Sequence, residues 1–254
     1  FPVFVLIFLR FIMATGLFYL TLRWREGGLP KLSRKVHLQM LGLALFQPFL
    51  YFTFETYGIS LTTASKASLI VASIPMVVLL LSMLFLKERA TGSKLMSIAL
   101  SMGGVTLVVA GAKEFSLDLS GSFMGDVLML GAVLTAAGYM VLTRKLSQNH
   151  SAAVISFLQM GYGTLLFFPF FLRDSMDMHW GGITEGGFAA LIALTLLASY
   201  GAFMGYNYAL TKIEASLASV SINMVPVVTV TAAWIILGER LTWMQLVGGA
   251  LVIV

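Results

Sequence analysis

Residues 57–100 read YGISLTTASKASLIVASIPMVVLLLSMLFLKERATGSKLMSIAL, and residues 208–251 read YALTKIEASLASVSINMVPVVTVTAAWIILGERLTWMQLVGGAL. The second stretch lies on the first at an offset of 151 residues without a gap, and 14 of the 44 positions are identical. The identities include Tyr57/Tyr208, Ala64-Ser65/Ala215-Ser216, Ala67-Ser68/Ala218-Ser219, Pro75/Pro226, Glu88-Arg89/Glu239-Arg240 and Thr91/Thr242. One register held through two apolar segments and the charged turn between them means an internal duplication, and a duplication governs the whole fold.

The composition says in which solvent the repeat lives. Of 254 residues, 59% are hydrophobic and 11% charged, against about 25% charged in an average soluble domain. No soluble core hides so much apolar side chain, so the chain is read as a membrane protein. Runs long enough to span, about 20 residues each, fall at 1–22, 36–57, 64–86, 92–112, 122–143, 151–172, 187–210, 215–237 and 242–254. At the same offset the first four match 151–172, 187–210, 215–237 and 242–254. The run at 122–143 has no partner in view; its partner is expected upstream of Phe1, and the last run is expected to continue past Val254. Residues 1–22 carry no charged leader and no small-residue cleavage site, so no signal peptide is read there. The expected fold class is an all-α polytopic membrane protein, an inverted-repeat 5+5 helix bundle with helix 1 absent and helix 10 truncated. Its domains are a first repeat at 1–112 and a second at 122–254. An odd number of spans per repeat turns the second half over, the plan of many secondary transporters.

Charge sets the orientation. One set of alternate turns holds Arg23, Arg25, Lys31, Arg34, Lys35, Lys87, Arg89, Lys94, Arg144, Lys145 and Lys212, eleven in all; the other holds Lys66, Lys113, Arg173 and Arg240. The first set is expected on the cytoplasmic side of a bacterial inner membrane, with both termini of the intact protein cytoplasmic. The net charge of +5 is scattered over short turns and forms no basic face, which argues against nucleic acid. Trp24 and Trp180 suit the membrane interface, and the Gly-rich loop at 173–186 is expected to lie as a lid on the outer surface.

Ala-Ser-x-Ala-Ser, then Pro, then Glu-Arg thirteen residues on, then a Gly-containing helix, is a pattern similar to EamA-type members of the drug/metabolite transporter superfamily. Leu9-Arg10-Phe11 resembles that family as well. The copies differ at Lys87 against Gly238 and at Ser97-Ile98 against Gly248-Gly249. The resemblance implies a secondary transporter that exports small organic metabolites, closest to the amino-acid exporters, with multidrug or other metabolite transport as the alternative. It also implies a cavity lined by helices 1, 3, 4, 6, 8 and 9 of ten.

The chemistry-bearing residues fit that reading. No phosphate loop, His-Glu-x-x-His or nucleophile elbow occurs, so no catalytic residue and no enzyme activity is expected. Cysteine is absent, and His37, His150 and His179 lie in loops or at helix ends, so no metal and no cofactor is expected. The expected partners are a small-molecule substrate and membrane lipids; monomer and homodimer both stay open. Gln47, Tyr51 and Glu55, at i, i+4 and i+8, share one helix face. Glu55 has two readings: a proton carrier or amine partner in a polar cavity, or an acid at the outer end of its helix. Ser73, Tyr139, Tyr200, Asn207 and Asn223 are further substrate-binding candidates, with helix-bridging amides as the alternative for the asparagines. Asn223 matches Ala72 in the other repeat, so the halves differ there. Pro75 and Pro226, expected in mid-helix, are hinge candidates. Arg10 is read as structurally paired, with a substrate carboxylate as the alternative. Glu88, Arg89, Glu239 and Arg240 are read as fixing helix hairpins, with gating as the alternative. Asp126 is read as capping its helix, and Gly121/Gly125 and Gly201/Gly205 as close-packing sites. A channel-like or non-transporting membrane protein is the competing class, and neither a ring of pore charges nor a soluble domain supports it.

Overall fold

The computed structural model describes residues 1–112, 123–176, 178, 180–238 and 240–253, and among these every regular element is helical. The helices are α1 (Val3–Arg25), α2 (Arg34–Ala44), α3 (Tyr51–Leu61), α4 (Ala64–Val71), α5 (Ile74–Phe85), α6 (Gly92–Ala110), α7 (Phe123–Leu146), α8 (Ala152–Met176), α9 (Glu185–Ala193), α10 (Phe203–Lys212), α11 (Ala215–Val220), α12 (Met224–Leu237) and α13 (Trp243–Ile253). Wide π-helical turns at Leu45–Leu50 and Leu194–Ala202 join α2 to α3 and α9 to α10, and a tight turn at Ser221–Asn223 joins α11 to α12. Seven of the described helical runs are long and apolar enough to cross a membrane.

Helix starts follow from short hydroxyl side chains. Ser33, Thr63, Thr91 and Thr184 each accept a bond from a backbone N–H of the first turn that has no partner inside the helix. At α13 the cap is reciprocal: Thr242 Oγ1 accepts from the Gln245 N–H, and Gln245 Oε1 accepts from the Thr242 N–H. Thr91 and Thr242 are the same position of the repeat. At the ends of α5 and α12, Lys87 (φ 58°) and Gly238 (φ 68°) are also the same repeat position, and both turn left-handed. Glycine does this freely, whereas a side chain there is strained by roughly 1–2 kcal/mol. The departure of Lys87 from Gly238 therefore leaves the turn unchanged.

The described residues form two compact units, Phe1–Phe49 with Leu142–Lys212 and Leu50–Val141 with Ile213–Val254. Each unit combines residues of both repeats. In the first, α1 packs on α8 through phenylalanines: the ring centroids of Phe8 and Phe171 are 4.2 Å apart, those of Phe4 and Phe170 5.1 Å, and those of Phe11 and Phe167 5.9 Å. In the second, α6 and α13 touch backbone to backbone. A Cβ on Gly104 would stand 2.6 Å from the Gly248 carbonyl oxygen, and one on Gly248 would stand 2.5 Å from that of Gly104. Small residues allow such close approach where lipid supplies no hydrophobic drive between helices. Gly125 is used likewise, with Leu61 backbone 2.8 Å from where its Cβ would be.

Several expectations are corrected. Pro75 and Pro226 are not in mid-helix. Each span is interrupted just before its proline, which then sits in the first turn of α5 or α12, where the missing N–H costs least. The span expected at 36–57 is broken at Gln47, whose backbone is extended (φ −146°, ψ 122°), as the residue before a proline prefers. The loop expected at 173–186 is shorter, because α8 continues to Met176. At about 1.5 Å per residue its 25 residues outreach a hydrocarbon core of about 30 Å, so Arg173 and Asp174 stand in the polar layer. Gly201 and Gly205 seat no neighbouring helix: Gly201 meets only the Leu196 carbonyl of its own run, and Gly205 has open space around it among the described residues. Gly121, Glu239, His179 and Lys113 lie outside the described residues.

Gly104→Ala is expected to lower the thermal stability of the detergent-purified protein by about 1–3 kcal/mol through overpacking. Gly103→Ala, with nothing within 4 Å of its Cβ, should be neutral or slightly stabilising. Equal unfolding temperatures for the two variants would show that the α6–α13 contact is not tight.

Candidate functional site

In the second unit, α3 begins at Tyr51, one turn before Glu55. The i, i+4 spacing puts the phenol beside the acid, and Tyr51 Oη donates to Glu55 Oε1 at 2.8 Å. Both residues are half-buried and line a cavity of about 270 Å³ with, among others, Ser68, Met129, Asn223 and Pro226. That is near the lower end of ligand-pocket volumes, about 300 Å³.

The cavity lies where two spans break. In the first, Pro75 has no N–H for the Val71 carbonyl, and the Met76 N–H turns to Ser73 O at 3.0 Å, so the Ala72 carbonyl is released. Asn223, at the corresponding break in the second repeat, points its Nδ2 at that oxygen, at a long 3.5 Å, and also donates to Ser101 Oγ at 2.9 Å. The halves meet here at equivalent positions and with different chemistry, a carbonyl against an amide. Ser73 Oγ donates to Ile70 O at 2.6 Å inside the first break.

The other candidates lie elsewhere. Gln47 has left the Tyr51–Glu55 face with the break in its span, and its released carbonyl accepts from Gln159 Nε2 at 2.8 Å in the first unit. Asn207 donates to Gln159 Oε1 at 3.1 Å and to Ser156 Oγ at 2.8 Å, and all three residues are fully buried. Tyr200 Oη shares a 2.7 Å bond with Thr21 Oγ1, and its ring lies 4.7 Å from that of Phe18. A π-helical run at Leu194–Ala202 precedes α10, and Tyr200 and Asn207 bond to different helices, α1 and α8. Arg10 Nε donates to Ser199 Oγ at 3.1 Å, also within the first unit. Tyr139 is buried in α7.

The charged turn has two jobs. The Glu88 N–H bonds Ser82 O at 3.2 Å and closes the end of α5. The Glu88 carboxylate caps α11, accepting from Ala215 N at 2.9 Å, Ser216 N at 3.3 Å and Ser216 Oγ at 2.6 Å. Burial by itself raises this carboxyl, but the bonds from Ser216 and the two backbone N–H groups outweigh it and hold it below the usual carboxylate range. Lys94 ties the same start by pairing with Glu214 and donating to Arg89 O at 2.9 Å. Arg89 and Arg240 have exposed side chains. Asp126, in the first turn of α7, pairs with Lys66 at 2.7 Å and accepts from Thr62 Oγ1 at 2.8 Å. Sequence reasoning passed over Gln159 and Ser156, whose signal was polarity inside an apolar run, and Ser68 and Met129, which gave none.

Known proteins resemble this chain along its whole length. The profile of the EamA-like transporter family matches residues 1–110 and 123–254. Transporter YcxC of Bacillus subtilis (strain 168), named as uncharacterized, is 29% identical over 235 residues, covering 89% of this chain and 75% of that protein. A protein of Streptantibioticus cattleyicolor, named as a probable terminal-alkyne amino-acid exporter, is 26% identical over 188 residues, covering 74% and 61%. A protein of known crystal structure superposes with a TM-score of 0.81 at 18% identity, covering 100% of this chain and 85% of its own, a likeness of fold alone.

Two outcomes are expected. Gln159→Leu strands the Gln47 carbonyl and removes one bond of the Asn207 amide, so it should cost about 1–3 kcal/mol, read as a fall in unfolding temperature that Leu158→Ile does not show. For Glu88, the folded carboxyl titrates below the unfolded one. Its stabilisation is complete above the unfolded value, about pH 4.3, and is lost as pH falls through the folded value. The Tm gap between wild type and Glu88→Gln should therefore be constant from about pH 7 to about pH 5 and close at more acid pH. A gap that widens with acid would contradict the cap.

Proposed function

The chain belongs to the EamA-like transporter family of the drug/metabolite transporter superfamily, and from that premise we propose that it exports small organic metabolites, amino acids or compounds related to them, by alternating access. Family membership makes it a multi-pass membrane transporter, and its relatives carry transporter and exporter names, which points away from an enzyme. The single observation behind the finer reading is the Tyr51–Glu55 pair on a small cavity at two helix breaks. Irregular backbone at membrane depth is tolerated where it borders a cavity, and transporter sites are built there. An intramembrane carboxylate is costly unless it is paired or protonated, which suits a group that exchanges a proton during the cycle. The two repeats, residues 1–112 and 122–254, would rock against each other as an inverted 5+5 bundle hinged near Pro75 and Pro226. The amino-acid class is supported by one relative's name. The excess of Lys and Arg in one set of turns supports a bacterial inner membrane with both termini of the intact protein cytoplasmic.

In proteoliposomes of the full-length protein, solute uptake should saturate and be competed by related solutes, and an imposed pH gradient should accelerate it. In Glu55→Gln the pH gradient should lose its effect and uptake should fall at least about tenfold, a loss of about 1.4 kcal/mol. Flux that rises linearly with concentration would count against alternating access.

A further inference from the structure

We propose that the cavity beside Glu55 selects solutes by a protonated amino group and rejects those that carry a free carboxylate next to it. This rests on the transporter reading above and, within its solutes, keeps amines and amino-acid derivatives without a free carboxylate while excluding the amino acids themselves.

A count of donors and acceptors carries the case. Tyr51 Oη spends its proton on Glu55 Oε1. The Ala72 carbonyl can only accept, so the nitrogen of the Asn223 amide must face it, and its two protons go to Ala72 O and Ser101 Oγ. What these bonds leave over on two residues that line the cavity is Glu55 Oε2 and Asn223 Oδ1, both acceptors. The lining contains no Lys, Arg or His. An ammonium brings three donors and a positive charge to this set. A carboxylate brings a second negative charge beside Glu55 and finds no cation, in surroundings where like charges repel far more strongly than in water. The rest of the wall is aliphatic, including Ile59, Val71, Val105, Ile222 and Val225, which suits a short branched body.

The test uses four probes with one carbon skeleton: isoamylamine, leucinamide, leucine and 4-methylpentanoate. Binding to the purified full chain is measured by calorimetry, and uptake is followed in liposomes. Isoamylamine and leucinamide should bind at least about tenfold tighter than leucine, and 4-methylpentanoate should not compete. Glu55→Gln should weaken both amines by roughly ten- to a hundredfold, as loss of a charge-assisted bond does. Should that variant not fold, Ile59→Lys places an ammonium one turn from Glu55 and should weaken the amines equally, while Ile59→Leu keeps them. Ile59 is exposed two residues before the end of α3, so the lysine displaces no packed side chain and can reach the interface. Leucine or 4-methylpentanoate binding as tightly as isoamylamine, or amine affinity unchanged in both variants, overturns the proposal. Saturable leucine uptake without amine uptake overturns it and leaves the transporter reading standing. Amine binding with the expected selectivity and no uptake of any probe upholds the selectivity and sinks the transporter reading.

Discussion

A carbonyl released from a helix inside a bilayer has no water to turn to, and each unsatisfied backbone group there costs several kcal/mol. The spans of this protein break at prolines, so the fold must supply a polar partner at the depth of each break. At Gln47–Pro48 the partner is α8, one of whose faces answers the break residue by residue. Gln159 donates to the Gln47 carbonyl. Gly163 leaves room for the Pro48 ring, which would stand 2.7 Å from any Cβ placed there. Phe167 packs its ring 5.2 Å from that of Phe49. Gln159, Gly163 and Phe167 recur every four residues, so one helix face matches three consecutive residues of the broken segment.

The break before Pro75 is answered differently. Its partner is Asn223, the residue that the duplication sets opposite Ala72, and the bond to the Ala72 carbonyl is long. A perfectly symmetric pair of breaks would bring two carbonyls together, or two amides, and neither arrangement can hydrogen-bond. The substitution that separates the repeats at this position resolves the conflict. The charged turns obey the same constraint at a helix end: the first N–H groups of α11 have no partner inside their own helix, and the Glu88 carboxylate satisfies two of them from the other repeat.

Features with a short-range cause were legible in the sequence. The helical runs followed from apolar length, the positions of two breaks from the repeated proline, and the Tyr51–Glu55 pair from helical spacing. What escaped was decided by contacts between distant residues. Glu88 reads as a residue of its own turn, yet its carboxylate serves Ala215, 127 positions away. Pro48 was a visible signal for the break in its span, but nothing local says that Gln159 answers it. The π-helical run before Phe203 has no proline, and nothing local says that Tyr200 bonds to α1 while Asn207 bonds to α8. Pro75 and Pro226 mark the two breaks but stand in a first turn and not in mid-helix, because a proline is cheaper in a first turn than in an interior, and the helix restarts to put it there.

Two asparagines show how polar residues in a membrane protein divide between scaffold and site. Asn207 and Asn223 are both buried in apolar helices, and by type and spacing they are interchangeable. Asn207 is embedded with Ser156 and Gln159, which in turn holds the broken segment, so its bonds run into the scaffold. Asn223 uses its amide protons on Ala72 and Ser101, which leaves its oxygen over on a residue that lines the same cavity as Glu55. Burial of a polar group without a partner is expensive, so capacity left over at the edge of a cavity is tolerable only where water or a solute completes it. By that criterion the polar capacity left over in the second unit is concentrated on two acceptors, Glu55 Oε2 and Asn223 Oδ1.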